Sequence, residues 1–140
     1  MNGFLLDTNV ISELIKAEPN RNVVRWIEKS EETMLFLSVL TLGEIRSGIE
    51  GLNPGRRRGR LESWLAVDLR LRFQHRILTI NDAIAERWGA VSAMAAKKGR
   101  PLPVIDGLLA ATALHHDLML VTRNDTDVRG SGVQTLNPWR

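Results

Sequence analysis

Short apolar runs alternating with segments of helical periodicity restrict this chain more than any other feature. The runs are Phe4-Leu-Leu6, Met34-Leu-Phe-Leu37, Arg76-Ile-Leu-Thr-Ile80 and Leu118-Met-Leu-Val121, with Val133-Gln-Thr-Leu136 as a weaker fifth. They are almost continuously apolar rather than alternating, which is how a strand covered on both faces reads, and the helices between them supply both the cover and the crossovers that parallel pairing needs. The pattern predicts an α/β sandwich around a mostly parallel sheet.

The helical segments carry their own punctuation. Asp7-Thr-Asn9 are cap-type residues before Val10, Ile11, Leu14 and Ile15. Asn22 to Ser30 is a short amphipathic segment, and a further helix is expected from about Leu40 to Glu50. Gly51-Leu-Asn-Pro-Gly55 is a turn-rich break before an Arg-rich helix. Asn81-Asp82 caps a helix with Ile84, Trp88, Val91 and Ala95 on one stripe, closed by Lys97, Lys98 and Gly99. Pro101 and Pro103 hold an extended connection into Ile105 to His115. At 140 residues, residues 1–140 are expected to form a single domain.

Composition matters chiefly for what it excludes. With 44% hydrophobic and 25% charged residues the chain is neither disordered nor fibrous. No apolar run approaches the roughly 20 residues of a membrane-spanning helix, and Met1 to Asp7 does not read as a secretory signal. The absence of Cys removes disulfides, thiolate ligands and cysteine nucleophiles, and fits a cytoplasmic location. The net charge is only +3, but Arg56, Arg57, Arg58, Arg60, Arg70 and Arg72 stand against Glu62 and Asp68, a local +4. The Arg56–Arg72 patch suits a polyanion such as RNA, an acidic partner protein, or simply a solvated helix face.

In parallel α/β sheets ligands bind outside the carboxyl ends of the strands. The residues to collect are therefore Asp7 after the first run, Glu44 after the second, Asp106 opening the Ala-rich helix, and Thr122-Arg-Asn-Asp-Thr-Asp127 after the fourth. Carboxylates from four segments meeting at one edge form an oxygen-only site suited to Mg²⁺ or Mn²⁺ rather than zinc. Such a site can activate water and clamp a phosphodiester. Each residue also has a plainer reading. Asp7 can be an N-cap, Glu44 can close a capping box with Thr41, Asp106 can complement a helix dipole, and Asp125 and Asp127 can be loop charges.

These residues carry a family resemblance. Leu5-Leu-Asp-Thr-Asn-Val-Ile-Ser12, Ser38-Val-Leu-Thr-Leu-Gly-Glu-Ile-Arg-Ser-Gly48, Pro103-Val-Ile-Asp-Gly-Leu-Leu-Ala-Ala-Thr-Ala113 and Leu120-Val-Thr-Arg-Asn124 resemble the four motifs of PIN-domain ribonucleases of the VapC toxin type. Leu136-Asn-Pro-Trp139 is similar to the FitB-like branch. The resemblance implies a PIN-domain-like α/β/α sandwich with strand order 3-2-1-4-5 and Mg²⁺- or Mn²⁺-dependent endoribonuclease activity. It also implies a homodimer, or a higher-order complex, neutralised by a cognate VapB/FitA-like antitoxin through which alone DNA would be met. Asp7, Glu44 and Asp106 match the family's acidic positions. Asp127 matches the Asp of a Thr-Arg-Asn-x-x-Asp pattern, with Asn124 and Asp125 as the other candidates for the fourth position. Thr8 and Thr122 stand beside these as groups that orient ligands or water.

Two function classes follow. One is a metal-dependent ribonuclease in which Asp7 and Asp106 hold the principal ion, Glu44 helps bind it or polarises water, and Asp127 completes a weaker site. The other is a catalytically weak PIN-fold interaction module that binds a partner protein or a DNA-bound antitoxin complex, with Trp26 and Trp64 as aromatic anchors or, more simply, core residues. A phospho-acceptor signalling domain fits poorly. That chemistry wants paired acids after the first strand and a Lys near the site, and Lys16, Lys29, Lys97 and Lys98 follow no apolar run.

Overall fold

The computed structural model describes residues 1–140. Its centre is a five-stranded sheet in the order β3-β2-β1-β4-β5, as the resemblance implies. The strands are β1 (Phe4–Leu6), β2 (Leu35–Ser38), β3 (Ile77–Leu78), β4 (Met119–Val121) and β5 (Thr135–Leu136). Every pairing is parallel, with Leu5 opposite Phe36 on one side and Leu120 on the other. The sheet is wholly rather than mostly parallel. All five strands therefore end at the same edge.

Alternation along each strand sends side chains to two separate cores. Leu6, Leu35, Leu37 and Val121 join one cluster with Val10 and Ile11 of α1 (Thr8–Leu14), Val23 and Ile27 of α2 (Arg21–Lys29), and Leu42, Ile45 and Ile49 of α3 (Val39–Glu50). Leu65, Leu69 and Phe73 complete it from the Arg-rich helical run, in which α4 (Arg56–Ser63) passes through a π-helical stretch at Trp64–Asp68 into α5 (Leu69–Arg72). On the opposite face Leu5 and Leu120 pack on Leu109, Ala110 and Ala113 of α7 (Val104–His116). The long helix α6 (Asp82–Lys97) lies against α7. The small residues of α7 let its backbone approach the sheet.

Four sequence expectations are corrected in detail. The third and fifth strands shorten to two residues each, because only Ile77–Leu78 and Thr135–Leu136 reach a paired neighbour. The second helix begins at Arg21, since Asn20 Oδ1 accepts from the Asn22 and Val23 amides. Thr8 and Asn9 do not share the capping of α1; Asp7 alone caps it, and both lie inside the helix. The capping box at Thr41–Glu44 does not form. Ser38 caps α3 by accepting from the Leu40 amide, which leaves Thr41 buried in the first turn and Glu44 free to face the strand ends. Trp26 and Trp64 both pack partly buried against the larger core, Trp26 edge-to-face with Phe4 at 5.1 Å.

Candidate functional site

Asp7 follows β1, and its position is over-determined. Its backbone amide donates to Val121 O of β4 at 2.9 Å, and its carboxylate accepts from the Thr8 amide at 2.7 Å and from the Thr122 hydroxyl at 2.7 Å. Thr122 in turn accepts from the Asn124 amide at 3.0 Å, so the hydroxyl's donor direction is fixed on Asp7. Glu44, in the second turn of α3, accepts from the Thr8 hydroxyl at 2.5 Å. Thr8 thus ties the end of β1 to α3, with Thr41 Oγ1 3.2 Å away. Asp106 stands in the first turn of α7, where Pro103 cannot supply a side-chain cap.

These carboxylates share one cleft of about 370 Å³, lined by Asp7, Thr8, Asn9, Glu44, Asp106 and Asn124 with Ser12, Glu13, Lys16, Arg123 and Trp139. Burial raises the Asp7 carboxyl above its ordinary range against the two hydrogen bonds that favour ionisation, and the charges of Glu44 and Asp127 raise it further. Asp106 is pushed from 3.8 to about 6, first by burial and then by Asp7, Asp127 and Glu44. Glu44 and Asp127 thus act on both Asp7 and Asp106 although the four come from four segments. Asp127 does so from a 3₁₀ turn spanning Asp125–Ser131. Asp125 does not belong to the group; it accepts from Arg140 at 3.4 Å. Asn124 lines the cleft, whereas Asp127 acts on Asp7 and Asp106 by its charge without lining it.

The cleft fits a hard cation in its chemistry. Its donors are carboxylate, hydroxyl and amide oxygens, and Asn9 Oδ1 is buried there without a hydrogen-bond partner. The carboxylates surround the space rather than converge on a point, and no three of them stand within common reach of a single ion. Water molecules completing the coordination are the normal complement of such an arrangement for Mg²⁺.

Three lining groups are absent from the acidic pattern read in the sequence. Asn9, Lys16 and Arg123 complete the rim. Lys16 donates to the buried Glu13 carboxylate at 2.8 Å, which also accepts from the Asn20 amide at 2.8 Å; these bonds hold Glu13 below its ordinary range. Arg123 lies over the Trp139 ring, 5.2 Å from its centroid. A signal for the first two was present in the sequence. Asn9, Ser12, Glu13 and Lys16 recur at helical spacing, which puts the first three on one face of α1 and Lys16 just past its C-terminal end.

A larger cleft of about 780 Å³ adjoins the acidic one. The two share Thr8, Ser12, Lys16 and Glu44, and the larger continues over Ile45, Ile49 and Leu61 to Arg57 and Arg60. The Arg-rich patch itself divides. Arg58 is spent on Glu50, Glu62 and the Leu52 carbonyl, and Arg72 on Glu32, whereas Arg56, Arg57 and Arg60 are exposed without an acidic partner.

An all-parallel α/β sheet flanked by helices, with carboxylates gathered at its carboxyl edge, defines the class of domain. The particular family within that class is settled by comparison: the chain belongs to the PIN-domain family, whose model matches residues 4–130. It is 35% identical over 135 residues to VapC ribonuclease Y4jK of Sinorhizobium fredii, covering 96% of each chain. It is 33% identical to toxin FitB of Neisseria gonorrhoeae over 96% of this chain and 97% of that one. Among solved structures, FitAcB from Neisseria gonorrhoeae superposes with a TM-score of 0.93 at 33% identity, covering 98% of this chain and 99% of that one. FitAB bound to an IR36 DNA fragment superposes with the same TM-score at 31% identity, over 98% and 96% of the two chains.

Proposed function

We propose that this chain is the toxin of a VapC/FitB-type toxin-antitoxin pair and acts as a Mg²⁺- or Mn²⁺-dependent endoribonuclease, with residues 1–140 as one functional unit in the cytoplasm. The observation that carries the reading is the meeting of Asp7, Glu44 and Asp106 in one cleft at the carboxyl edge of the sheet, with Asp127 near enough to act on Asp7 and Asp106 by its charge. The similarity to VapC ribonuclease and FitB supports it.

In this reading Asp7 and Asp106 hold the principal ion, Glu44 binds it or orients the attacking water, and Asp127 completes the acidic set with Asn124 beside it. A divalent ion held there would supply Lewis acidity and a water of lowered pKa for phosphodiester hydrolysis. The chain's own residues do the rest. Thr122 and the Thr8 amide fix the Asp7 carboxylate, and the Thr8 hydroxyl fixes Glu44. Lys16 and Arg123 place positive charge on the rim, where phosphates on either side of the reacting one would lie. No histidine takes part; His115 and His116 close α7.

The adjoining cleft gives the interaction reading its place. Its apolar floor and the unpaired Arg57 and Arg60 suit an amphipathic segment with acidic residues, and its shared wall with Thr8 and Glu44 would let such a segment cover the acids. We assign that role to a FitA/VapB-like antitoxin acting on a homodimer, with DNA bound through the antitoxin. The structural relatives that are FitAB assemblies support this assignment.

The test is cleavage of a mixed RNA pool by purified, partner-free protein with Mg²⁺ or Mn²⁺. Loss of cleavage in Asp7→Asn and in chelator supports the reading. Cleavage by Asp7→Asn at the parent rate would overturn it.

A further inference from the structure

Helix α2 carries Arg21, Arg25 and Lys29 at successive four-residue steps, all exposed. None forms an ion pair, and Glu28, the only carboxylate on the helix, stands unpaired beside them. Like charges one turn apart cost a helix a few tenths of a kcal/mol per pair, so the stripe is an expense the fold leaves uncompensated. Successive members are separated by about 6 Å along the helix axis, a spacing on the scale of consecutive phosphates in an extended strand.

The stripe does not stand alone. Arg25, Trp26 and Lys29 form one wall of a cleft of about 490 Å³, and Asn137, Pro138 and Arg140 form the other. That second wall leads to the acidic cleft. The Asn22 side chain donates to the Trp139 carbonyl at 3.0 Å, fixing the segment to α2, while Trp139 also lines the acidic cleft and stacks with Arg123. Trp139 therefore separates the acids on one side from the cationic cleft on the other. Arg140 reaches Asp125 across 3.4 Å but is 73% exposed, so its charge is still open to a ligand.

We propose that the cleft between α2 and Asn137–Arg140 holds the single-stranded RNA flanking the scissile bond, with Arg25 and Lys29 on its phosphates, Arg21 continuing the stripe beyond the cleft's edge, and Trp139 at the turn into the acidic site. The proposal rests on the ribonuclease reading and adds to it a strand path on the side away from the Arg57 and Arg60 cleft. Phosphate contacts of this kind position a strand without reading its sequence. The three cations are positioning residues; they touch no reacting atom.

The experiment compares wild-type protein with Arg21→Gln/Arg25→Gln/Lys29→Gln and with Arg25→Lys. A fluorescent single-stranded RNA of about 20 nucleotides is titrated in chelator at several salt concentrations, and its cleavage with Mn²⁺ is followed in parallel. For single strands each phosphate contact contributes roughly 0.7 to the slope of log K against log salt, so the triple variant is expected to flatten the slope by about 2. Its KM for the RNA should rise at least tenfold, while Arg25→Lys keeps the wild-type slope. An unchanged slope in a variant with wild-type thermal stability would overturn the strand path. So would a slope change accompanied by altered particle mass in light scattering, which would make α2 a protein interface. Wild-type protein that cleaves no RNA in any metal would instead overturn the ribonuclease reading, which the slope comparison does not touch.

Discussion

Thr122 and Asp7, 115 positions apart in the chain, meet in a 2.7 Å hydrogen bond in which the threonine hydroxyl donates to the carboxylate, with both residues buried. The bond joins the ends of β1 and β4, which are neighbours in the sheet. With the Thr8 amide donating to the other oxygen, each Asp7 oxygen accepts one hydrogen bond and the plane of the carboxylate is fixed toward the cleft. Removing the Thr122 bond should do more than loosen a side chain. Thr122→Val keeps the volume, leaves a buried carboxylate short of a donor and should lower cleavage by about 10- to 100-fold. It should also move the acid limb of the pH profile upward, because the ionised form of Asp7 loses support. Thr122→Ser should restore most of the rate. A Val variant with an unmoved pH profile would show that the bond is only structural.

The acidic cluster predicts a pH dependence of opposite sign to an ordinary salt bridge. Asp106 has a folded pKa of about 6 against an ordinary 3.8, so between those values the folded protein holds more proton than the unfolded chain. Stability from this group is then highest below about pH 4 and falls as pH rises to about 6. Allowing for solvent screening of a half-exposed group, about 1 kcal/mol is expected, or a few degrees in Tm. Asp106→Asn should therefore raise the Tm of metal-free protein at pH 7.5. Mn²⁺ should raise the wild-type Tm at that pH and lose this effect below pH 6, where protons compete for the ligand. Calorimetry across pH with and without Mn²⁺ measures both.

Glu32 predicts the conventional sign on the far side of the molecule. Burial opposes its ionisation, but hydrogen bonds and charge from Arg72, then Arg76, outweigh that and hold it below its ordinary range. Arg76 also donates to the Leu35 carbonyl at 2.6 Å, which ties β2 to the chain entering β3. Stability from Glu32 is present above its ordinary 4.5 and is lost as pH falls through the lowered folded value. Glu32→Gln should remove that part of the acid dependence and destabilise by roughly 1 kcal/mol or less at pH 7, since the group is half-exposed.

Gly107, next to Asp106, touches the indole of Trp88. A Cβ there would lie 3.1 Å from Trp88 Cδ1 and 3.1 Å from Nε1. Gly107→Ala should displace the first turn of α7 or the ring, at a cost of about 1–3 kcal/mol, and lower cleavage along with Tm because Asp106 moves with the turn. Trp88→Phe in the same chain should recover part of both, since the smaller ring makes room and removes an indole nitrogen that has no partner. A double-mutant cycle in Tm and rate tests the coupling.

The Arg-rich patch needs a narrower test than its sequence suggests. Arg58 holds the Gly51–Gly55 turn through the Leu52 carbonyl, so replacing it should expose that turn to proteolysis. Arg56, Arg57 and Arg60 make no such bond. Their combined replacement by Ala is expected to flatten the salt dependence of binding to RNA or to an acidic partner, and comparing the two ligands in one titration decides which of them uses the patch.

Sheet and helices were legible because their signals are local. Phe4-Leu-Leu6 ends at an Asp, Asn81 caps α6 by accepting from Ile84, and Gly99 at φ 75° closes it. The capping box at Thr41 was misread because Ser38, three residues earlier, is an equally good cap and the chain uses it. The acidic residues were legible as strand-end groups, but the choice among Asn124, Asp125 and Asp127 was not. It depends on contacts made across the fold: Arg140 pairs with Asp125, Asn124 lines the cleft, and Asp127 reaches Asp7 and Asp106 by its charge. Lys16 and Arg123 escaped because a cation beside four acids reads, in one dimension, as an ordinary surface charge.

The strand order has a consequence for synthesis. The central strand β1 leaves the ribosome early, but β4, which supplies Thr122 and one whole side of its pairing, follows more than a hundred residues later. Parallel pairing across such separations forms late and slowly. A nascent or prematurely terminated chain thus holds Asp7 and Glu44 but cannot assemble their cleft. The ribonuclease activity proposed above would therefore be absent from the chain until its translation is nearly finished.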